Sequence, residues 1–386
     1  MVVSSNKLVE IITSKINTIV IVINPKGELI YISQSVERIL GYQPEELLGE
    51  YWWKATRKDD FSAYKMLENF KELVKENRIE ELSTERLLFD VNHNKKWILW
   101  DSSLDDEGNV VSVGYDITNR KINEKRLSRT VKQLRSKNKE IIDSLNYAQT
   151  IQHSILPSSK TLEHFFSNYF VTYLPKDIVS GDFYFFYEFI DLLFVACIDC
   201  TGHGVPGALM TVLANNLLKS VIKHQMLSDP AEILHALDSL LFDEFNRNNK
   251  IQRADGMDIA LCVFDFQTHT LNFAGANQSL QIYSAEEEIE IKGNRFPIGL
   301  YHDVDKKFET HSFEFQKGDR FFLFTDGIVD QFGGEKDKKF TKKRLKESLQ
   351  TSENLLKIQD ECNSKFISWK NKNEQTDDVL LIGLEI

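Results

Sequence analysis

Four aspartates constrain this chain of 386 residues more than any other feature. Asp182, Asp199, Asp326 and Asp377 each stand where a short apolar run meets a turn. Residues 192–198 (LLFVACI) are a continuous apolar stretch of the length expected for a buried strand, and the run ends at Asp199. Residues 320–324 (RFFLF) repeat the design before Thr325, Asp326 and Gly327, while Asp377 and Asp378 open the run 379–384 (VLLIGL). Asp182 follows Gly181, which permits a tight backbone ahead of an aromatic run. Carboxylates at the ends of buried strands repel one another and are costly to desolvate, so several converging acids imply a cation between them. Only oxygen donors recur, which favours a hard ion, magnesium or manganese, over zinc. Taken singly, each Asp reads equally well as a turn former, and the inference rests on the four together.

The same residues sit in longer spaced segments: 180–184 (SGDFY), 199–208 (DCTGHGVPGA), 275–277 (GAN), 324–330 (FTDGIVD) and 376–379 (TDDV). In this order they resemble the sporulation stage II protein E type of serine phosphatase, a branch of the metal-dependent, type 2C-like protein phosphatases, over residues 157–386. The resemblance implies an α-β-β-α sandwich carrying a binuclear Mn2+ or Mg2+ centre that dephosphorylates phosphoserine or phosphothreonine on a protein. Carried over by position, it makes Asp182, Asp199 and the backbone carbonyl of Cys200 metal ligands, with Asp326 and Asp377 completing the first metal's shell. Of the adjacent acids, Asp377 is taken as the ligand and Asp378 as a supporting or capping acid.

Two dications close together lower the pKa of a bridging water and clamp the oxygens of an in-line displacement, so no covalent phosphoenzyme is needed. Neither Cys197 nor Cys200 has the C-x5-R spacing of a cysteine phosphatase. His203, in the metal loop, is the candidate general acid for the leaving alkoxide; a histidine that caps or packs the glycine-rich turn is the alternative. Asp255 and Asp258, in 254–259 (ADGMDI), match a further family segment and are candidates for a third, looser metal or a substrate contact. They also read as turn and strand-entry acids of a hairpin formed by 259–264 and 271–274, with Asn277 a structural residue in a loop near the site. Gly202, Gly204 and Gly207 let the backbone turn tightly and let a helix over 205–219 start close to the sheet. A sensor-kinase nucleotide box fails on spacing.

Cys197 and Cys200 have C-x-x-C spacing, but Cys262 and Cys362 stand alone, so no second ligand pair exists for a structural zinc, and Cys197 reads as a small core residue. Four cysteines without a pairing pattern fit a reducing compartment.

The N-terminal third is a different object. Residues 20–31 read as strand, Asn-Pro-x-Gly turn, strand, followed by short helical pieces broken at Gly41 and Pro44 and by strands at 97–100 and 110–115. With Gly41-Tyr42 and 116–118 (DIT), this order is similar to a PAS sensor domain over residues 5–118. Its ligand stays unassigned. Ser33 and Gln34 replace the asparagine common after the second strand, no cysteine for a flavin adduct precedes Cys197, and His93 is the domain's only histidine.

Between the two, Leu127, Val131, Leu134, Asn138, Ile141, Leu145, Ala148, Gln152 and Ile155 step by four and three, a seam of about four heptads. Asn138 and Gln152 fall at a positions, where polar side chains set register and favour a parallel homodimer. An amphipathic helix packed on its own domain would show the same seam. Pro157 ends the helix. The resulting organisation is α+β: a PAS-like five-stranded antiparallel sensor domain (1–118), a coiled-coil linker helix (119–156) and the α-β-β-α phosphatase domain (157–386).

A chain of this length suits two cores and a linker, and 42% hydrophobic and 11% aromatic residues suffice to build both. A net charge of -11 argues against nucleic acid as the main partner. The longest apolar stretches read as strand-sized and no cleavage site follows the N-terminus, so the expectation is a cytoplasmic protein without signal peptide or membrane span. By resemblance, the expected substrate is a phosphorylated anti-sigma-factor antagonist in bacterial signalling; the alternative is a non-catalytic scaffold that binds the phosphoprotein.

Overall fold

The computed structural model describes residues 18–76, 78–79, 83–246, 255–284, 287–300, 306–350 and 354–386. Residues 5–17, which the PAS resemblance included, lie outside the described residues. The chain divides into two compact units, one ending at Asn138 and one beginning at Lys139.

The first unit is a five-stranded antiparallel sheet of β1 (Thr18–Ile23), β2 (Leu29–Ile32), β3 (Thr84–Phe89), β4 (Lys95–Leu104) and β5 (Val110–Asp116), in the order β2-β1-β5-β4-β3. The first turn forms because the Asn24 side chain accepts from the backbone N–H groups of Lys26 and Glu28 while Gly27 takes a φ of 87°. Period two on β1 sends Ile19, Ile21 and Ile23 into a core completed by Trp52, Trp53, Leu67 and Leu88. Helix α1 (Ser35–Leu40) stops where Gly41 turns left-handed, and a short 3-10 turn (Pro44–Leu47), α2 (Tyr51–Ala55) and α3 (Asp60–Lys75) follow. Asp59 starts α3 by accepting from the Ser62 N–H.

Helix α4 (Thr118–Ile155) runs across the boundary between the units, with the Asp116 side chain accepting from the Thr118 N–H at its start. Leu127, Val131, Leu134, Asn138 and Ile141 of the seam are exposed on it.

The second unit stacks two sheets. One contains β7 (Asp182–Phe189), β8 (Leu192–Cys200), β9 (Met257–Asp265), β10 (Thr270–Ala276) and β13 (His311–Glu314), ordered β13-β10-β9-β8-β7. The other contains β6 (Asn168–Leu174), β11 (Ser279–Tyr283), β12 (Glu288–Lys292), β14 (Arg320–Phe324) and β17 (Val379–Glu385), ordered β12-β11-β14-β17-β6, and the short strands β15 (Phe332–Gly333) and β16 (Lys338–Lys339) pair with each other. Strand alternation explains the layering. On β8, Leu193, Val195 and Cys197 face the other sheet, while Phe194, Ala196 and Ile198 face α5 (Gly204–Gln225) and α6 (Pro230–Asn246). On β17, Leu380, Ile382 and Leu384 point between the sheets, and Val379 and Leu381 point toward α8 (Lys342–Leu349) and α9 (Leu355–Lys370). Strands buried on both faces read as unbroken apolar runs, which is why their sequences lack alternation. Phe264 meets Phe166, Phe266, Phe315 and Phe321 in the inter-sheet layer, so its truncation to Ala would cost about 3–5 kcal/mol. The sandwich is α-β-β-α, as expected.

Helix α5 corrects one expectation. Its 22 residues are apolar and long enough to cross a membrane by length and composition, so the apolar stretches are not all strand-sized. Half of that stretch is buried, with Ala208, Met210, Ala214, Leu218, Val221 and Ile222 on the first sheet.

Candidate metal centre

Strand register brings three aspartates into one row. Asp182 on β7 lies opposite Asp199 on β8, and Asp199 lies opposite Asp258 on β9. Residues directly opposite in a ladder share a face, so these carboxylates are close neighbours. From the other sheet, Asp326 opens α7 (Asp326–Asp330) directly after β14 and Thr325, and Asp377 stands two residues before β17, the strand paired with β14. Asp199, Asp258, Asp326 and Asp377 line one cavity of about 480 Å³.

The electrostatics record the crowding. Burial first, and then the charges of Asp326, Asp258 and Asp377, push the Asp199 carboxyl upward. Burial and Asp199 push Asp182 well above the usual carboxylate range. Asp326 rises to about 6 through burial and through Asp330, Asp377 and Asp258. Burial also raises Asp258, although the Asn277 amide donates to it at 2.8 Å. Among the described residues no three Asp, Glu, His or Cys side chains already form a closed shell. The donors are instead arranged around the cavity, and a set of mutually repelling carboxylates fits hard divalent cations. Cys197 is sealed between the sheets, and its neighbour three residues on, Cys200, packs on the opposite face.

Each expected residue has a defined place. Asp182 is buried behind Asp199 and accepts from the Thr325 hydroxyl at 2.6 Å, which joins the two sheets beneath the site. Cys200 lines the cavity, and its N–H donates to the Gly181 carbonyl. Asp377 is exposed at the wall, whereas Asp378 is buried and accepts from the N–H groups of Lys176 and Gly181, both at 2.7 Å. That geometry makes Asp378 the cap of the turn carrying Asp182. A Cβ on Gly181 would stand 2.4 Å from the Gly202 carbonyl, and one on Gly207 would stand 2.3 Å from the same oxygen. Both glycines are therefore demanded by close backbone approach, and α5 starts against the sheet as read. Asp255 stands just ahead of β9 and is not in the cavity wall, so of the two segment acids only Asp258 joins the cluster.

His203 lines the cavity mouth as the N-cap of α5, half exposed, with its Nδ1 2.9 Å from Asp177 Oδ2. Asn277 adopts a left-handed φ of 59° to reach Asp258. Asp177, Thr325 and the cavity-lining Arg295 were not among the residues singled out from sequence, because their partners are distant in the chain and no local pattern marks them.

Gln152 requires a correction. As a seam residue it was expected to face a second helix, but it is buried in its own chain. Its Nε2 donates to the Ser180 carbonyl at 2.6 Å and to the Thr211 hydroxyl at 2.9 Å, and its Oε1 accepts from the Ser180 N–H at 3.1 Å. A polar amide is needed there because Ser180 presents a buried peptide edge that β7 does not pair. The heptad position is the same; the partner is different.

Comparison with known proteins agrees with this geometry. Residues 191–386, half of the chain, match the family described as stage II sporulation protein E (SpoIIE), and residues 17–119 match a PAS domain. Phosphoserine phosphatase RsbU of Bacillus subtilis (strain 168) is 25% identical over 207 residues, covering 51% of this chain and 56% of its own length. Phosphoserine phosphatase RsbP of the same organism is 24% identical over 161 residues, covering 41% of this chain and 38% of its own length. The chain thus spans about half the length or less of the curated relatives it matches. The solved SiaA-PP2C domain of Pseudomonas aeruginosa superposes with a TM-score of 0.57 at 32% identity, covering 64% of this chain and 98% of that domain. The chain therefore belongs to the stage II sporulation protein E family, with a PAS domain ahead of its PP2C-like domain.

Proposed function

We propose that the protein is a sensor-regulated, metal-dependent protein serine/threonine phosphatase, with residues 1–118 sensing, 119–156 connecting and 157–386 catalysing. The observation that carries this reading is the cavity lined by Asp199, Asp258, Asp326 and Asp377, with Asp182 paired to Asp199 in the strand row behind its wall. Asp182, Asp199, Asp326, Asp377 and the Cys200 carbonyl would hold two Mn2+ or Mg2+ ions, with Asp378 capping the turn and Asp258 steadied by Asn277. Bound there, the ions would supply an activated water and charge for the phosphoryl oxygens.

The chain's own groups account for the rest. Arg295 on the cavity wall offers a cation to the substrate phosphate. Asp177 engages Nδ1 of His203, leaving Nε2 as the atom that can give a proton to the departing serine or threonine oxygen. The phosphoserine phosphatase names of both relatives support phosphoserine as the group hydrolysed, and the sequence resemblance points to a phosphorylated protein of the anti-sigma-factor-antagonist type as its carrier. The protein works in the cytoplasm, on protein rather than nucleic acid.

The exposed seam at Leu127, Val131, Leu134 and Ile141 supports a parallel homodimer through α4, with Asn138 setting register. Gln152 gives the signal a route. A change in the dimer geometry that rotates or shifts α4 pulls on Ser180, whose hydroxyl accepts from the Asp182 N–H.

The test is manganese-dependent release of phosphate from a phosphoserine protein by the full chain, beside Asp326→Asn. Turnover that needs both metal and Asp326 supports the phosphatase; binding of the phosphoprotein with no turnover in any metal establishes the scaffold instead.

A further inference from the structure

The first unit contains a cavity of about 100 Å³ that the phosphatase chemistry does not use. Its walls include Trp52, Phe70 and Trp100, and two guanidinium groups, Arg57 and Arg86, line it. Arg57 is the informative residue. Its Nη1 donates to the Thr56 carbonyl at 3.3 Å and the Thr56 hydroxyl at 2.7 Å, and its guanidinium lies 5.7 Å from the Trp53 ring. Its Nε is shielded from solvent with no acceptor among the described residues. No carboxylate among the described residues pairs with Arg57, and none pairs with Arg86.

Burial and the like charge of Arg86 together bring the Arg57 guanidinium down to about 10. Among the described residues this shielded cation, beside another cation, has no counter-charge, and leaving a charged donor unpaired is costly. The Ser102 and Ser112 hydroxyls do not share this need, since they bond each other at 2.8 Å. Among the described residues, what the cavity lacks is one negative charge attached to something apolar. An engineered apolar cavity of about 150 Å³ takes benzene, so this one suits roughly four to six heavy atoms.

We propose that this cavity binds a short-chain monocarboxylate, with the carboxylate on Arg57 and Arg86 and the alkyl body against Trp52, Phe70 and Trp100. The planar fork of arginine matches a carboxylate, and the indole and phenyl walls match the hydrocarbon. The ligand would thus give the sensor domain a chemical input, whatever reaction the second unit performs.

The experiment is calorimetric titration of the full chain with acetate, propionate, butyrate, valerate and hexanoate, each beside its neutral amide, and with inorganic phosphate and succinate. Binding should be strongest for the two- to four-carbon acids and at least about tenfold weaker for the amides, the worth of a hydrogen bond to a charged group. Arg57→Gln should reduce butyrate affinity by at least about tenfold with the circular dichroism unchanged. Should that variant not fold, Arg86→Gln and the acid-to-amide ratio in the unaltered chain carry the test. Equal binding of acid and amide, preference for succinate or phosphate, no binding of any acid at millimolar concentration, or undiminished binding by folded arginine variants would each overturn the proposal.

Discussion

Replacing Gln152 with Met keeps the length of the side chain and removes only its amide, so it isolates what that amide does. In the native protein Gln152 is 2% exposed and forms both halves of a peptide-like pairing with Ser180, itself 0% exposed. The Thr211 hydroxyl loses little, because it still donates to the Ala208 carbonyl. The Ser180 N–H and C=O lose these partners where water cannot replace them, at about 1–3 kcal/mol for each buried group. Methionine packing offsets a part, leaving a net loss of about 3 kcal/mol. For a unit of this size that lowers the melting temperature by about 6–12 °C. Scanning calorimetry of full-length Gln152→Met beside the unaltered chain reads the shift, and a manganese titration in the same samples should show weaker binding because Ser180 supports the Asp182 turn. A residue at the a position of a helical dimer predicts the opposite sign, since removing a polar side chain from such a seam stabilises it. An unchanged or raised melting temperature would therefore refute the assignment of Gln152 to its own domain.

Other perturbations separate the remaining parts of the account. Asn138→Leu should tighten self-association and loosen register, seen as higher-order species by sedimentation; an unaltered profile would remove the seam from the mechanism. Deleting four residues from the exposed stretch of α4 should change activity more than deleting seven, which restores the helical face; equal effects would contradict rotary coupling. Lys306→Met removes the buried partner of Asp238, held at 2.6 Å, and should cost about 3–5 kcal/mol in urea unfolding because the carboxylate is left uncompensated. Burial works to raise Glu290, but hydrogen bonds from Lys342 and Lys346 hold it at about 2, below its ordinary 4.5. A depressed folded value stabilises above the unfolded value and is lost as pH falls, so the stability gap between the native chain and Glu290→Gln should shrink between pH 4.5 and 2. Solvent screening limits that gap to about 1 kcal/mol.

The strands around the site were readable because each is an apolar run with an acid at one end. Residues 320–324 coincide with β14, and β17 begins at Val379 as read. Helix α3 was not readable: it buries only Ala63 and Leu67, and Phe61 and Tyr64 point into solvent and blur the 3.6-residue stripe. Asp258 looked like a strand-entry acid and is one. Its second role depends on the pairing of β8 with β9, a register across about sixty residues that no local pattern contains. Gln152 shows the same limit, for a heptad reports that a helix face meets something and leaves the partner open. Thr325 and Asp177 act on groups that only the closed sandwich brings near.

The most direct test of the carboxylate cluster is manganese binding by the full chain in metal-free buffer, followed by calorimetry and by phosphate release from a phosphoserine protein in the same titration. The account predicts about two ions per chain, turnover that rises with their occupancy, and loss of both in Asp199→Asn. Phosphate release that persists in excess chelator, or no manganese binding at millimolar concentration, would contradict it.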